Sequence, residues 1–157
     1  MKIYLLTTKL NFKTGGGSVT DLHLKAKGLT ELGHEVAVIT TRSAANTIDQ
    51  ALAYKVYEEN IEAKSFIKLQ SEAYKIIKQY AAKADVIYID GNNFLYAAGF
   101  YKLFGGRTPI TCFFNMKLNC WLDPEGSYHK EGFFARQKRK FRFLLEHRLG
   151  VPLVNRL

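Results

Sequence analysis

The residues best equipped for chemistry fall into three groups. The first is Gly15-Gly16-Gly17-Ser18, bare backbone ahead of an amphipathic stretch. Glycines there let main chain approach a ligand closely, and a helix opening offers free N–H groups to an anion. Contact with a phosphate or a sugar is one reading; a flexible turn without ligand is the other. The second group is Asp90-Gly91-Asn92-Asn93. Asp90, Asn92 and Asn93 carry short polar groups suited to sugar hydroxyls, and equally suited to turning the chain and capping the next helix. Asp90 as a general base is a weaker reading, because no second carboxylate is paired with it in the sequence. The third group lies between Phe114 and Gly132, where Asn115, Lys117, Asn119, Trp121, Tyr128 and His129 are gathered. Rings cover the apolar faces of a sugar while amides meet its hydroxyls. Asn115, Lys117 and Trp121 are candidate contacts of that kind, with a folded-back loop and a buried Trp121 as the alternative. Cys112, Cys120 and His129 have neither the number nor the spacing of a zinc site, so no metal is expected.

These groups need a scaffold. Lys2 to Thr8 reads as a strand, and Ser18 to Leu32 as a helix with Val19, Leu22, Ala26, Leu29 and Leu32 at helical spacing. Ser18 or Thr20 would cap it and Gly33 would end it. Glu35 to Thr41 reads as a second strand, whose apolar Val36-Ala37-Val38-Ile39 suits cover on both faces. Tyr54 to Tyr57 is a weaker third strand. A long helix over Ser65 to Ala84, a strand over Asp85 to Asp90, an aromatic helix over Phe94 to Phe104 and a strand over Thr108 to Phe113 follow. A loop over 114–132 and a basic helix from Phe133 to Leu149 close the pattern. Strands alternating with helices predict a parallel sheet with crossovers. Such sheets bind ligands beyond the carboxyl ends of their strands. Here those ends are Lys9–Gly17, Thr41–Asp49, Gly91–Asn93 and Phe114–Gly132.

Two familiar phosphate motifs fail. Gly17-Ser18-Val19 does not supply the Gly-Lys-Ser/Thr of a P-loop. The dinucleotide fingerprint would use Gly15 and Gly17 but meets Thr20 at its third glycine, and the second strand ends in Thr40-Thr41-Arg42 rather than an acid. A nicotinamide or flavin oxidoreductase is therefore disfavoured.

From Gly15-Gly16-Gly17-Ser18 through Leu29-Thr30-Glu31-Leu32-Gly33-His34-Glu35-Val36-Ala37-Val38-Ile39-Thr40, the chain resembles the amino-terminal half of GT-B glycosyltransferases of the retaining, nucleotide-sugar-using group 1 type. Their signature is a glycine pair, a helix, then Gly-His-Glu-Val and a hydrophobic strand. The pair here falls on Gly16 and Gly17. Weaker similarity continues through Ala84-Asp85-Val86-Ile87-Tyr88 and Pro109-Ile110-Thr111.

The resemblance implies an α/β fold over residues 1–157: a Rossmann-like, doubly wound, mostly parallel sheet with helices on both faces. It implies transfer of a hexosyl group from a nucleotide-sugar to a hydroxyl of a glycan or lipid-linked acceptor, as in polysaccharide biosynthesis. Gly15, Gly16, Gly17 and Ser18 would face the donor phosphates or sugar. Asp90, Asn92, Asn93, Asn115, Lys117 and Trp121 would face the acceptor. The nucleotide-sugar is a substrate, and no further cofactor or metal is implied. His34, at the entrance of the second strand, is read as structural. Many relatives carry a His just after the fifth strand; Asn115 stands there, and Asn hydrogen-bonds but does not titrate. In the family a second Rossmann-like domain holds most of the donor. None of this chain corresponds to it, so a donor-binding domain is expected in cis or in trans, with no turnover by residues 1–157 alone. The alternative is a non-catalytic acceptor-binding or membrane-recruiting module serving a separate donor-domain chain.

Composition bounds these readings. Of 157 residues 47% are hydrophobic, with 11 Phe and 9 Tyr, which argues for a folded core and against disorder. The net charge of +9 draws the chain to something anionic. The excess is uneven: residues 1–91 hold 12 basic and 10 acidic side chains, residues 92–157 hold 11 and 4. Arg136, Lys138, Arg139, Lys140 and Arg142 concentrate it in the predicted last helix, around a stripe of Phe134, Phe141 and Leu145. A contact with an anionic membrane surface and a core-packed helix with a solvated basic face are the two expectations. No nucleic-acid motif is present. Two cysteines and the absence of a secretory signal pattern lead to an expected cytoplasmic location, at the inner face of the membrane if the basic helix binds lipid.

Overall fold

Along the chain the computed structural model runs β1 (Lys2–Thr7), α1 (Gly16–Glu31), β2 (Glu35–Thr41), β3 (Lys55–Glu59), α2 (Phe66–Ala81), β4 (Val86–Asp90), α3 (Leu95–Leu103) and β5 (Ile110–Phe113). A π-helical turn, Glu146–Gly150, and a short helix, α4 (Val151–Val154), follow. The described residues are 1–14, 16–48, 51–61, 66–91, 93–113, 134, 137, 141, 144 and 146–154. The predicted loop over 114–132 lies outside them.

The strands form one sheet in the order β3-β2-β1-β4-β5, and every pairing is parallel. Alternation along each strand sends side chains to opposite faces. Ile3 and Leu5 of β1, with Val36 and Val38 of β2, meet Val19, Leu22 and Ala26 of α1. Tyr4, Leu6, Ala37, Ile39, Ile87 and Ile89 meet Ala73 and Ile77 of α2 and Ala97 and Ala98 of α3 on the other face. Helices thus cover both faces, and the unbroken apolar runs of β1 and β2 follow from that double burial. The fold is α/β and Rossmann-like. Each large aliphatic side chain buried this way contributes about 1.5–3 kcal/mol.

Several predicted boundaries shift for identifiable reasons. α1 begins at Gly16, so Ser18 lies inside its first turn and donates to Asp90 rather than capping the helix. Thr20 Oγ1 donates back to the Gly16 carbonyl. Gly33 does end α1: at φ +84° its N–H reaches the Thr30 carbonyl, while His34 N–H reaches Leu29. α2 stops at Ala81, three residues before its predicted end. Asp85 is already engaged there, its N–H donating to the Lys2 carbonyl and its carboxylate accepting from Lys2 N–H at 2.6 Å. β5 starts at Ile110: Thr108 turns its N–H to the Tyr101 hydroxyl and its carbonyl to Lys102 Nζ, each at 3.4 Å, and Pro109 has no N–H to give to the ladder. β3 is an edge strand among the described residues and starts one residue late, since Tyr54 is buried against α1, with its hydroxyl 2.8 Å from His23 Nδ1.

Within the predicted last helix, Phe134, Gln137, Phe141 and Leu144 are helical. Phe134 and Phe141, whose stripe is expected to dock on the sheet or insert elsewhere, are exposed. Arg136, Lys138, Arg139, Lys140 and Arg142 lie outside the described residues. Among the described residues no helix is long and apolar enough to cross a membrane.

Candidate functional site

Strand order reverses between β1 and β4, and a crevice opens beyond the carboxyl ends of strands at such a switch point. A cleft of about 420 Å³ is found there. The end of β1 supplies Thr7, Thr8 and Lys9; the following loop supplies Asn11 and Thr14; the opening of α1 supplies Ser18; the end of β4 supplies Asp90, Gly91 and Asn93.

The loop after β1 is held from below and from the side. Leu10 is fully buried. Asn46, beyond β2, accepts from Leu10 N–H at 3.1 Å and donates to the Thr41 carbonyl and to Glu58 Oε1. Thr47 Oγ1 accepts from Phe12 N–H at 3.0 Å. Asn11 turns the chain toward α1, its Oδ1 accepting from the N–H groups of Lys13 (2.9 Å) and Thr14 (2.8 Å), and its Nδ2 donating to the Ala45 carbonyl. The N–H groups of Leu10, Phe12, Lys13 and Thr14 and the Asn11 amide are thereby spent on positioning the loop, which keeps Thr14 and the helix opening in place.

At that opening Gly16 has φ +64°, a conformation that favours glycine. A Cβ at Gly16 or Gly17 would meet nothing within 4 Å. The backbone there is uncovered by side chains and flanked by the cleft residues Thr14 and Ser18.

The opposite wall is the loop after β4. Ser18 Oγ donates to Asp90 Oδ2 at 3.3 Å, and Asn93 Nδ2 donates to Thr8 Oγ1 at 3.3 Å, so each wall touches the other. Capping of α3 by Asn92 or Asn93, one of the two readings of this segment, gives way to Phe94, which is the N-cap and makes no side-chain bond. Gln70 of α2 takes that role: its Oε1 accepts from Ala97 N–H at 2.9 Å and its Nε2 donates to the Asn93 carbonyl at 2.6 Å. Asn93 is thus released from capping, and its amide faces the cleft.

Half-burial raises the Asp90 carboxyl above the ordinary carboxylate value, opposed by the Ser18 hydrogen bond and by Lys25, and reinforced by Asp21. Lys25 itself bonds Asp21 and the Tyr88 hydroxyl and lies 4.2 Å from the centre of the Phe113 ring. A carboxyl with a raised folded-state pKa holds its proton more tightly folded than unfolded. Its contribution to stability therefore falls as pH rises from the unfolded value through its own. Asp90→Asn removes that penalty. Above this window the variant is expected to melt about 1–3 °C higher than the parent, and to bind ligand more weakly. Melting curves across the acid range check it; a lower melting temperature at every pH would mean that the bonds of Asp90 outweigh its burial.

Gly16, Gly17, Ser18, Asp90 and Asn93 therefore come together; Gly15, Asn92, Asn115, Lys117 and Trp121 lie outside the described residues. Sequence reading missed Thr8, Asn11 and Thr14 as cleft residues and Gln70 as the support of Asn93. Gln70 did leave a signal: it is an amide lying among the apolar positions Leu69, Ala73 and Ile77 of α2. The cleft offers hydroxyls, an amide, a carboxylate and the exposed Lys9 ammonium, a set suited to a polyhydroxylated or phosphorylated ligand. Among the described residues no three His, Cys, Asp or Glu gather as a metal site would require.

Comparison with known proteins agrees on the fold. No protein-family model and no curated protein sequence matches the chain. Among solved structures, sucrose-phosphate synthase from Thermosynechococcus elongatus superposes with a TM-score of 0.58 at 14% identity over 92% of this chain. The chain spans 40% of that synthase. A glycosyltransferase from Rickettsia africae matches 74% of this chain and 31% of its own, at 16% identity and a TM-score of 0.48. The C-terminal domain of a hydrogenase from Pyrococcus furiosus matches 71% and 89%, at 12% identity and 0.44. At 14% identity the likeness to the synthase is one of fold.

Proposed function

We propose that this chain is the amino-terminal, acceptor-side domain of a GT-B glycosyltransferase. The full enzyme moves a sugar, with retention, from a nucleotide-sugar to a hydroxyl of a glycan or lipid-linked acceptor. The observation that supports this reading is the open backbone at Gly16 and Gly17, which leads directly into Ser18, the cleft residue that bonds Asp90 across the switch point. Charge builds on the leaving diphosphate as the sugar departs, and N–H groups already aimed at it favour the transition state over the ground state. Asp90, Asn93 and Thr8 would bind acceptor hydroxyls, Ser18 would join Gly16 and Gly17 on the donor side, and Lys9 would meet the nearest negative charge. Asn115, Lys117 and Trp121 are proposed to complete the acceptor side. A second domain, in cis or in trans, supplies most of the nucleotide contacts.

The test is an amide-resolved NMR titration of the chain with nucleotide-sugars (uridine diphosphate glucose and guanosine diphosphate mannose as probes) and with oligosaccharides. Shifts are expected at Thr14, Gly16–Ser18 and Asp90–Asn93. Gly17→Ala, whose Cβ meets no neighbour within 4 Å, is expected to keep the fold and weaken the sugar nucleotide by about tenfold, because the methyl group keeps the ligand from closing on one backbone N–H. Shifts confined to Thr30–Gly33, at the far end of α1, would overturn the assignment.

A further inference from the structure

Away from the cleft, α2, α3 and the turns at 146–154 leave an apolar groove of about 660 Å³. Its rim is formed by Ile67, Tyr74, Phe100, Leu103, Phe104 and Leu149. Ile67 is 82% exposed, Phe104 70% and Leu149 66%. Isolated apolar residues on a surface need no explanation, but a contiguous group of this size marks an interaction surface. The surrounding charge indicates with what. By helical spacing Lys78 continues the row of Ile67, Ser71 and Tyr74 on α2, and Lys68 and Lys75 flank it. Lys102 of α3 and Arg148 of the π-helical turn add to them, against Glu72, which pairs with Lys75 at 2.9 Å. Lysine is depleted from protein–protein interfaces, because a strongly hydrated ammonium on a flexible stem resists burial. Beside anionic lipid the same group stays hydrated and still gains attraction. Tyr74 and Tyr96 place amphipathic rings in the same groove, as residues of a membrane–water boundary do.

We propose that this face docks on an anionic membrane surface. Ile67, Phe104 and Leu149 enter the boundary between headgroups and acyl chains, and the lysines of α2 and α3 face the phosphates. The surface is separate from the cleft, and the proposal does not rest on the glycosyl-transfer reading.

Sedimentation with phosphatidylcholine vesicles, with and without phosphatidylglycerol, tests it on the intact chain. Binding is expected with phosphatidylglycerol only, and to weaken as salt is raised. The paired substitution Ile67→Ser with Phe104→Ser is expected to lower binding by about tenfold, as is Lys75→Gln with Lys78→Gln. Circular dichroism checks the fold of each, and Leu149→Ser stands in should the first pair fail to fold. The proposal is overturned if the parent chain stays in the supernatant with phosphatidylglycerol vesicles at low salt. It is equally overturned if folded apolar or lysine variants bind as well as the parent. Self-association through this face without vesicle binding would assign it to a second copy of the chain instead.

Discussion

Gly99→Ala is expected to lift α4 off α3, although alanine is the better helix former. A Cβ at Gly99 would lie 2.6 Å from Leu153 Cγ, 2.7 Å from the Leu153 carbonyl oxygen and 2.9 Å from its carbonyl carbon. A leucine tip can move aside; main chain cannot without moving the whole turn. Alanine brings about 1 kcal/mol of helix propensity to α3. Expelling Leu153, which is 8% exposed, forfeits roughly 2 kcal/mol of burial. Gly99→Val adds a β-branched side chain without alanine's propensity and is expected to cost about 3 kcal/mol, or 6–12 °C of melting temperature. Because the damage is local, amide exchange at Gly150–Leu153 should rise by at least about tenfold in Gly99→Ala while the central strands stay protected. Unchanged protection there would mean that α3 and α4 separate enough to admit a methyl group. The same variant should lose the apolar groove, since Leu153 and Gly150 line it.

Gln70→Leu has the second large effect, and it reaches the cleft. Leucine keeps the volume but leaves the buried Ala97 N–H without an acceptor and the Asn93 carbonyl without its donor. An unpaired buried N–H costs about 1–3 kcal/mol and the second bond about 1 more, so the melting temperature should fall by roughly 5–12 °C. Asn93, no longer held from behind, should lose its 3.3 Å contact with Thr8 and, with it, order on one wall of the cleft. Gln70→Glu separates the two bonds. Ionised, its carboxylate still accepts from Ala97 but faces the Asn93 carbonyl oxygen. Protonated, it donates to that oxygen. Its pKa should therefore be raised in the folded state, so its stability approaches the parent's at low pH and is lost as pH rises through that folded value. Urea titrations at several pH values check this; a pH-independent deficit would leave the Asn93 bond without weight.

Local signals in the chain were sufficient for the α/β class and the order of strands and helices. Val36-Ala37-Val38-Ile39 is apolar without alternation because both sheet faces are covered, and α2 repeats its apolar residues at helical spacing because only one side of it is buried. The left-handed stop at Gly33 was equally legible, since the backbone angle it needs is a property of one residue. The candidate residues Gly16, Gly17, Ser18 and Asp90 were named for their chemistry and for their places at strand ends.

Tertiary structure alone decided which of those ends become neighbours. The order β3-β2-β1-β4-β5 sets β1 beside β4, Ile3 against Val86, and so brings Ser18 to Asp90 and Thr8 to Asn93. It also gave the cap of α3 to Gln70 rather than to an adjacent asparagine, and left an apolar groove beside α4. Helix periods and turns depend on neighbours a few residues apart, so one sequence window contains their cause. Pairings between distant segments depend on how whole faces bury together, and no single window contains that.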